Sequence, residues 1–325
     1  MATNLQRALD NPSEALRENL GRHTQFEGNK SRSFAALNLA FLQEGAFVEL
    51  PANKELEQPV HLLFLTTSTD QPVASQPRNL IVLHHHSKAT LIESHIGGSK
   101  CLTNGVNEIV LHDGATLEHH IWEQLDSEAY FVGSTDVRQG RNSRYLSHTF
   151  WLGGSWVRHD LNVNLAEPGG ECTLNGLFLQ RDGQHIDNHT TIAHQAPQCT
   201  ARQLYKGVLD GKTTGVFNGR ILIEKAGQQA DAEMNNHNLL LSTEASINTK
   251  PELEIYADDV KASHGTTVGQ LNDEAIHYLR TRGISAVEAQ RILTRAFIGD
   301  MVDAVESPAL QEKLRSMVNR WQSKV

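Results

Sequence analysis

The chain has 325 residues, a formal charge of −9 and an isoelectric point near 6.0, long enough to bury a large core without cross-links. The acidic balance, with no useful run of Lys or Arg, excludes a sequence-independent grip on nucleic acid. Three scattered cysteines, Cys101, Cys172 and Cys199, contain no CxxC pair, which excludes a cysteine-rich zinc or cluster motif and suits a reducing compartment. The opening MATNLQRALDNPSEALRENL is too polar for a signal peptide, and no stretch approaches a membrane span, so the expected location is the cytoplasm. The compositional oddity is the count of 17 histidines.

Residues 1–55 read as a short helical or mixed N-terminal region. Asn11, Pro12, Ser13 and Glu14 offer an N-cap, a proline in the first turn and a capping-box acid, and Leu16 and Leu20 share a face.

Residues 56–268 change texture. Short apolar runs recur between polar and glycine-bearing turns: VHLLFL (60–65), NLIVL (79–83), EIVL (108–111), LNVNL (161–165), LNGLFL (174–179), GRILIE (219–224) and NLLLS (238–242). They are strand-length and strand-flavoured, with few hairpin signals and no amphipathic helix between them. HHSKATLIESHI (85–96) and LHDGATLEHHIW (111–122) share an Ala-Thr-Leu triplet 26 residues apart. Such recurrence predicts an all-β core of stacked strands, a parallel β-helix solenoid; an antiparallel sandwich or barrel is the rival.

Residues 269–325 read as a helical domain. A first helix starts at Leu271-Asn272-Asp273-Glu274, carries Ala275, Ile276 and Leu279 on one face and stops at Gly283. Ser285 and Glu288 box the start of a second, striped by Ile292, Leu293, Ala296 and Phe297. Ser307-Pro308 opens a third, with Leu310, Leu314, Met317, Val318 and Trp321 in line. Such helices either cap an open solenoid end or offer an apolar ridge to a partner.

KGVLDGKTTGVFNGRI (206–221) has the look of a phosphate loop. Only Val208, Leu209 and Asp210 separate Gly207 from Gly211, one residue short of the motif, and the β-branched Thr213-Thr214-Gly215-Val216 follows in place of a helix. The stretch is read as a turn between strands.

Four groups of histidines could carry chemistry. In a strand, His84 and His86 would share one face and His85 the other; with no third ligand nearby, a stacked polar face is the reading. His112-Asp113 with Glu118-His119-His120 forms a second cluster. His185, Asp187, His189 and His194 form a third, a facial metal triad in composition and equally a hydrogen-bonded polar ladder. Cys199 has Arg202 and Lys206 nearby, yet a buried inert thiol is the simpler reading. The fourth is IYADDVKASHGTTVGQL (255–271), where His264 stands at the mouth of the last solenoid turn as a ligand, an acid/base group or a structural anchor.

Long strings carry a resemblance to a known family. CTARQLYKGVLDGKTTGVFNGRILIEKAGQQADAEMNNHNLLLS, INTKPELEIYADDVKASHGTTVGQL and DEAIHYLRTRGISAVEAQRILTRAFIGDMV closely resemble the SufB/SufD family of the SUF iron–sulfur cluster assembly system. LNLAFLQEGAFVELP and LEQPVHLLFL fit too, so the similarity covers nearly the whole chain. The SufB branch carries a cysteine where His237 stands and a glutamate where Gly265 stands; KASHG is the SufD-like form. Many SufD chains have a cysteine at the position of Ala262, so no thiolate is available there. The N-terminal helical region is shorter than the SufD branch usually carries.

The resemblance implies a right-handed parallel β-helix with helical ends, acting as a non-catalytic subunit beside SufB and two copies of the ATPase SufC. His264 would meet iron or a nascent cluster at the SufB–SufD interface, supported by His237, Lys261 and Asp259. Ile276, Leu279, Ile292, Leu293 and Phe297 would meet the ATPase. No cofactor is expected to stay on this chain alone; iron, a nascent Fe–S cluster or a flavin belongs to the complex, and whether the chain pairs with a second copy of itself in isolation is left open by the sequence. Two rivals stand beside this: a β-helix carbohydrate-active enzyme using Asp258 and Asp259, and a purely structural solenoid.

Overall fold

The computed structural model describes residues 1–24, 32–67, 71–98, 100–181 and 183–323. After the short strand β1 (Ala2–Asn4) come helices α1 (Leu5–Asp10), α2 (Glu14–Asn19) and α3 (Ser33–Ala40). The coil then begins with β2 (Ala46–Leu50), β3 (Val60–Thr66), β4 (Val73–Ser75), β5 (Arg78–Leu83) and β6 (Lys88–Gly97). It continues through β7 (Cys101–Leu111), β8 (Thr116–Leu125), β9 (Tyr130–Gln139), β10 (Arg144–Trp151), β11 (Trp156–Leu165) and β12 (Glu171–Gln180). The last strands are β13 (His185–His194), β14 (Thr200–Leu209), β15 (Thr214–Ile223), β16 (Ala230–Leu240), β17 (Ser246–Ile255) and β18 (Val260–Gly269). Helices α4 (Asp273–Thr281), α5 (Ala286–Asp303) and α6 (Pro308–Ser323) follow.

From β6 onward successive strands alternate between two sheets, and each pairs in parallel with the strand two ahead, which is the connectivity of a β-helix. The first sheet holds ten strands and ends on β17; the second holds eight and ends on β18. The antiparallel pair among the described residues is β1 with β2. Period-two alternation fills the interior: on β11, Val157, Leu161, Val163 and Leu165 are fully buried in the core between the sheets. The first coil strand, β2, lies upstream of residue 56, because AFVEL pairs in parallel with β5.

The two Ala-Thr-Leu triplets do not stack on one another. Ala89 sits opposite Leu117, so the coil repeat exceeds the triplet spacing by two residues. A slip of two preserves the face, and Ala89, Leu91, Ala115 and Leu117 all reach the same core. The 206–221 stretch is the end of β14, a turn and most of β15. Gly211 adopts φ +60°, its N–H donates to Asp210 Oδ1 at 2.9 Å, and the Thr213 hydroxyl donates to the Asp210 carbonyl at 2.6 Å. A turn of that type favours glycine at the left-handed position.

Helices cover the flanks. α1 and α2 lay Leu5, Ala8, Ala15 and Leu16 on Phe47, Leu80, Val82 and Val110 of the first sheet's outer face. The cap of α2 is Ser13, whose Oγ accepts from Leu16 N at 3.3 Å, which leaves Asn11 and Pro12 outside the helix. On the second sheet's outer face, Ile298, Met301, Val302, Leu314, Met317, Val318 and Trp321 of α5 and α6 pack on Ile92, Trp122, Phe150, Leu177, Val208 and Leu239. Each such side chain contributes roughly 1.5–3 kcal/mol by leaving water, so the α6 stripe is used within its own chain. The ladders of the second sheet run on to β18 past this seam, so the helices line the flank of the coil.

The predicted caps of the C-terminal helices are in place. Asn272 Oδ1 accepts from Glu274 N and Ala275 N, Ser285 Oγ accepts from Glu288 N, and Gly283 ends α4 at φ +83°. No helix among the described residues is long and apolar enough to cross a membrane.

Candidate functional site

The coil ends on β17 and β18, each with a strand neighbour on one side only among the described residues. Their outer edges expose backbone donors and acceptors, the arrangement onto which another chain adds. Ile255, Tyr256 and Val268 are exposed along this end, at 41 %, 65 % and 48 %.

Register decides where His264 points. On β16 and β18, Ala232 is opposite Ala262 and Met234 opposite His264. Ala232 and Met234 belong to the interior core and Ala262 packs against it, so His264 stands on the interior face of the last coil. With no further coil over it, the side chain is exposed. Thr266, next on that face, shares a 3.0 Å hydroxyl contact with Thr249 of β17, and Thr249 donates to Asn236 Oδ1 at 2.9 Å. The mouth of the solenoid is therefore polar, with an imidazole, two hydroxyls and an amide on the interior faces of its last strands.

The three residues expected to support His264 are not gathered around it. His237 lies three positions beyond Met234 and so faces outward, its Nδ1 2.9 Å from Thr267 Oγ1. Lys261 pairs with Asp231 on that same outer face, where Arg202 bonds Asp231 at 2.8 Å. Asp259 precedes β18 in an exposed turn, its N–H donating to Gln228 Oε1 at 3.0 Å and its carbonyl accepting from Gln229 N at 2.6 Å. Strand alternation separates these groups, and a motif read as one string cannot show that. Asp258 and Asp259 are both exposed there too. The cleft between α3 and the first sheet holds one carboxylate, Asp160, and Arg158 bonds it at 2.9 Å.

Among the helix positions, Ile276, Leu279, Ile292 and Leu293 are half-buried, and α4 buries no residue fully. Phe297 turns inward to the seam, with Lys206 Nζ 4.9 Å from its ring centre.

The histidine groups resolve differently. His84–His86 form a turn after β5, with His86 at φ +54°, so the expected strand alternation does not occur there. His84 stacks on His112 at 5.0 Å, His85 tilts onto the same ring at 5.2 Å, and His84 Nε2 lies 3.0 Å from Glu49 Oε1. On β13, Asp187 takes His189 at 2.8 Å and Arg158 at 2.6 Å, a polar ladder whose guanidinium occupies the place of a cation. His194 faces the opposite way, between Leu165 and Ile223, where burial pulls it down to about 4. Cys199 is buried and burial raises its thiol, which leaves it inert.

His119 joins an interior network that sequence reading missed. Glu93 accepts from His95 Nε2 at 2.6 Å, His119 Nε2 at 3.3 Å and Asn107 Nδ2 at 2.8 Å, all buried between the sheets. Asn107 continues to Thr135, and Thr135 to His159, at 3.2 Å each. Burial pushes the Glu93 carboxyl up, but the bonds from His119 and His95 outweigh it and hold it well below the glutamate range. The signal was the alternation Glu93-Ser94-His95 inside an apolar strand.

His120 and Glu118 go elsewhere, to the outer face, where His148 of the next coil meets them. The His120 and His148 rings stack at 5.1 Å with 11° between planes. Burial, and then His120, lower His148 to about 4, so it is a neutral imidazole.

A two-sheet parallel solenoid with flanking helices and a polar, histidine-bearing end places the chain in the class of parallel β-helix proteins. The family model described as SUF system FeS cluster assembly, SufBD core domain, matches residues 64–297. The chain belongs to the SufB/SufD family of the SUF iron–sulfur cluster assembly system. It is 37 % identical over 317 residues to an iron–sulfur cluster assembly SufBD family protein of Synechocystis sp., covering 94 % of this chain and 69 % of that one. It is 30 % identical over 295 residues to the iron–sulfur cluster assembly protein SufD of Escherichia coli, covering 88 % and 69 %. The protein of that name from Plasmodium falciparum is 28 % identical over 260 residues, covering 79 % of this chain and 18 % of its own length.

Proposed function

We propose that this chain is the SufD-like subunit of a SUF scaffold, joined by the edges of β17 and β18 to a SufB-like paralogue. His264 receives iron or the nascent cluster at that junction, and the paralogue supplies the thiolates. The observation that carries this reading is the place of His264: an exposed imidazole on the interior face of an edge strand with no coil beyond it among the described residues. In the absence of the paralogue, the same edge serves a second copy of this chain.

The half-buried Ile276, Leu279, Ile292 and Leu293 of α4 and α5 mark the surface offered to a SufC-like ATPase. Motion of these helices reaches the coil through the seam that buries Ile298, Met301 and Trp321. Phe297 contributes from inside that seam. His237 and Lys261, on the outer face, act on the helix side of the sheet and not on the cargo. ATP hydrolysis is assigned to the SufC-like partner.

The test is His264→Ala. The complex with both partners is expected to form at wild-type yield while maturation of a reporter Fe–S enzyme in cells falls. Undiminished maturation removes His264 from the mechanism.

A further inference from the structure

The geometry points to a divalent transition-metal site formed by Glu118, His120 and His148 on the outer face of the second sheet. It stands apart from the open end and does not depend on the function proposed above.

The β8–β10 register sets His120 directly beside His148, and Glu118 shares their face two residues earlier on β8. One carboxylate oxygen and one nitrogen from each ring lie within 4.8 Å of one another. Small side-chain rotations bring such a set onto one ion at the ~2.0–2.2 Å bond lengths of zinc. Both imidazoles are fully buried, because Ile92, Trp122 and Phe150 around them pack against α5 and α6.

Neither nitrogen of His120 or His148 has a hydrogen-bond partner, and neither does Glu118 Oε1. His120 Nε2 and Glu118 Oε1 are 2.9 Å apart, but out of line for a hydrogen bond. Buried polar atoms are almost always satisfied, and several orphaned atoms converging on one point are what an absent cation leaves. Of the other histidine groups, Arg158 meets Asp187 and Glu93 engages His95 and His119, while His194, whose ring nitrogens also lack partners, belongs to no such three-ligand group among the described residues.

The donor set names the ion class. Two imidazoles and a carboxylate suit Zn²⁺ or Fe²⁺ and do not suit Ca²⁺ or Mg²⁺, which take oxygen ligands. The Thr90 hydroxyl, 3.4 Å from Glu118 Oε2, orients the carboxylate from behind. The Glu118 side chain is 18 % exposed, which gives an ion a way in.

The experiment uses the full chain, stripped with chelator and titrated anaerobically with Co²⁺, whose visible bands report coordination. Zn²⁺ and Fe²⁺ then compete in separate arms, and the ion that displaces cobalt at the lower concentration is the one the site selects. One ion per chain is expected, with affinity falling at least ~10–100-fold in Glu118→Gln and in His148→Asn. Should His148→Asn fail to fold, Glu118→Gln decides alone, since its partly exposed side chain keeps its volume. Absence of binding by the parent chain, or binding by Glu118→Gln as tight as the parent's, overturns the site.

Discussion

Lys206 Nζ lies 2.8 Å from both carboxylate oxygens of Asp300 and 2.7 Å from the Phe297 carbonyl, tying β14 to α5. The ammonium is nearly buried under the Phe297 ring. Lys206→Met is expected to remove roughly 1.5–3 kcal/mol of docking energy, the worth of hydrogen bonds to charged groups. Amide exchange should quicken in α5 and α6 and stay slow in β8–β16. Uniform loss of protection across the whole chain would show that the seam is not a separate cooperative unit.

If the coil pairs through its last strands, a charge placed there should block it. Val268 shares the interior face of β18 with His264 and is 48 % exposed. Val268→Lys imitates the charged edges by which sheets avoid association. Folding stability should stay within about 0.5 kcal/mol, as for most surface changes. Co-elution with a SufB-like partner should be lost, and unchanged co-elution would move the interface elsewhere.

Arg78 and Glu108 form an ion pair at 2.7 Å with neither side chain exposed. Glu108 also accepts from Gly21 N and His23 N, and Arg78 Nη1 donates to Asn38 Oδ1 at 3.0 Å. One buried pair therefore pins the N-terminal helical region to the first sheet. Glu108→Ala strands the guanidinium and should cost about 3–5 kcal/mol. Urea unfolding gives the loss, and limited proteolysis should cut first within residues 1–24.

His194 is neutral in the folded chain, at about 4 because of burial, whereas the unfolded chain takes up its proton near 6.5. Its contribution to stability is complete above the unfolded value and is lost as pH falls from there towards 4. His194→Leu removes this term. The stability of the variant relative to the parent should rise by roughly 2 kcal/mol between pH 7 and pH 5. A pH-independent difference in denaturant midpoints would mean that His194 reaches water.

Much of the fold is legible in the order of residues alone. Leu314, Met317, Val318 and Trp321 announce α6, and Asn272, Ser285 and Gly283 mark helix ends, because caps and stripes are local. The coil is legible as recurrence, but its register is not. The Ala-Thr-Leu triplets suggest a repeat two residues short, since a slip of two leaves every side chain on its own face and so leaves no trace in the pattern.

The amino-acid string by itself determined the alternation of strand and turn, the three C-terminal helices, the absence of a phosphate loop at 206–221 and the family. Only the tertiary structure decided which histidines meet. His120 finds His148 one coil away, His119 turns inward to Glu93, and His264 parts from His237, which sits close by on the neighbouring strand. The reason is geometric: in a stacked coil, alternation assigns each side chain to the lumen or the flank, and register between coils chooses its neighbour.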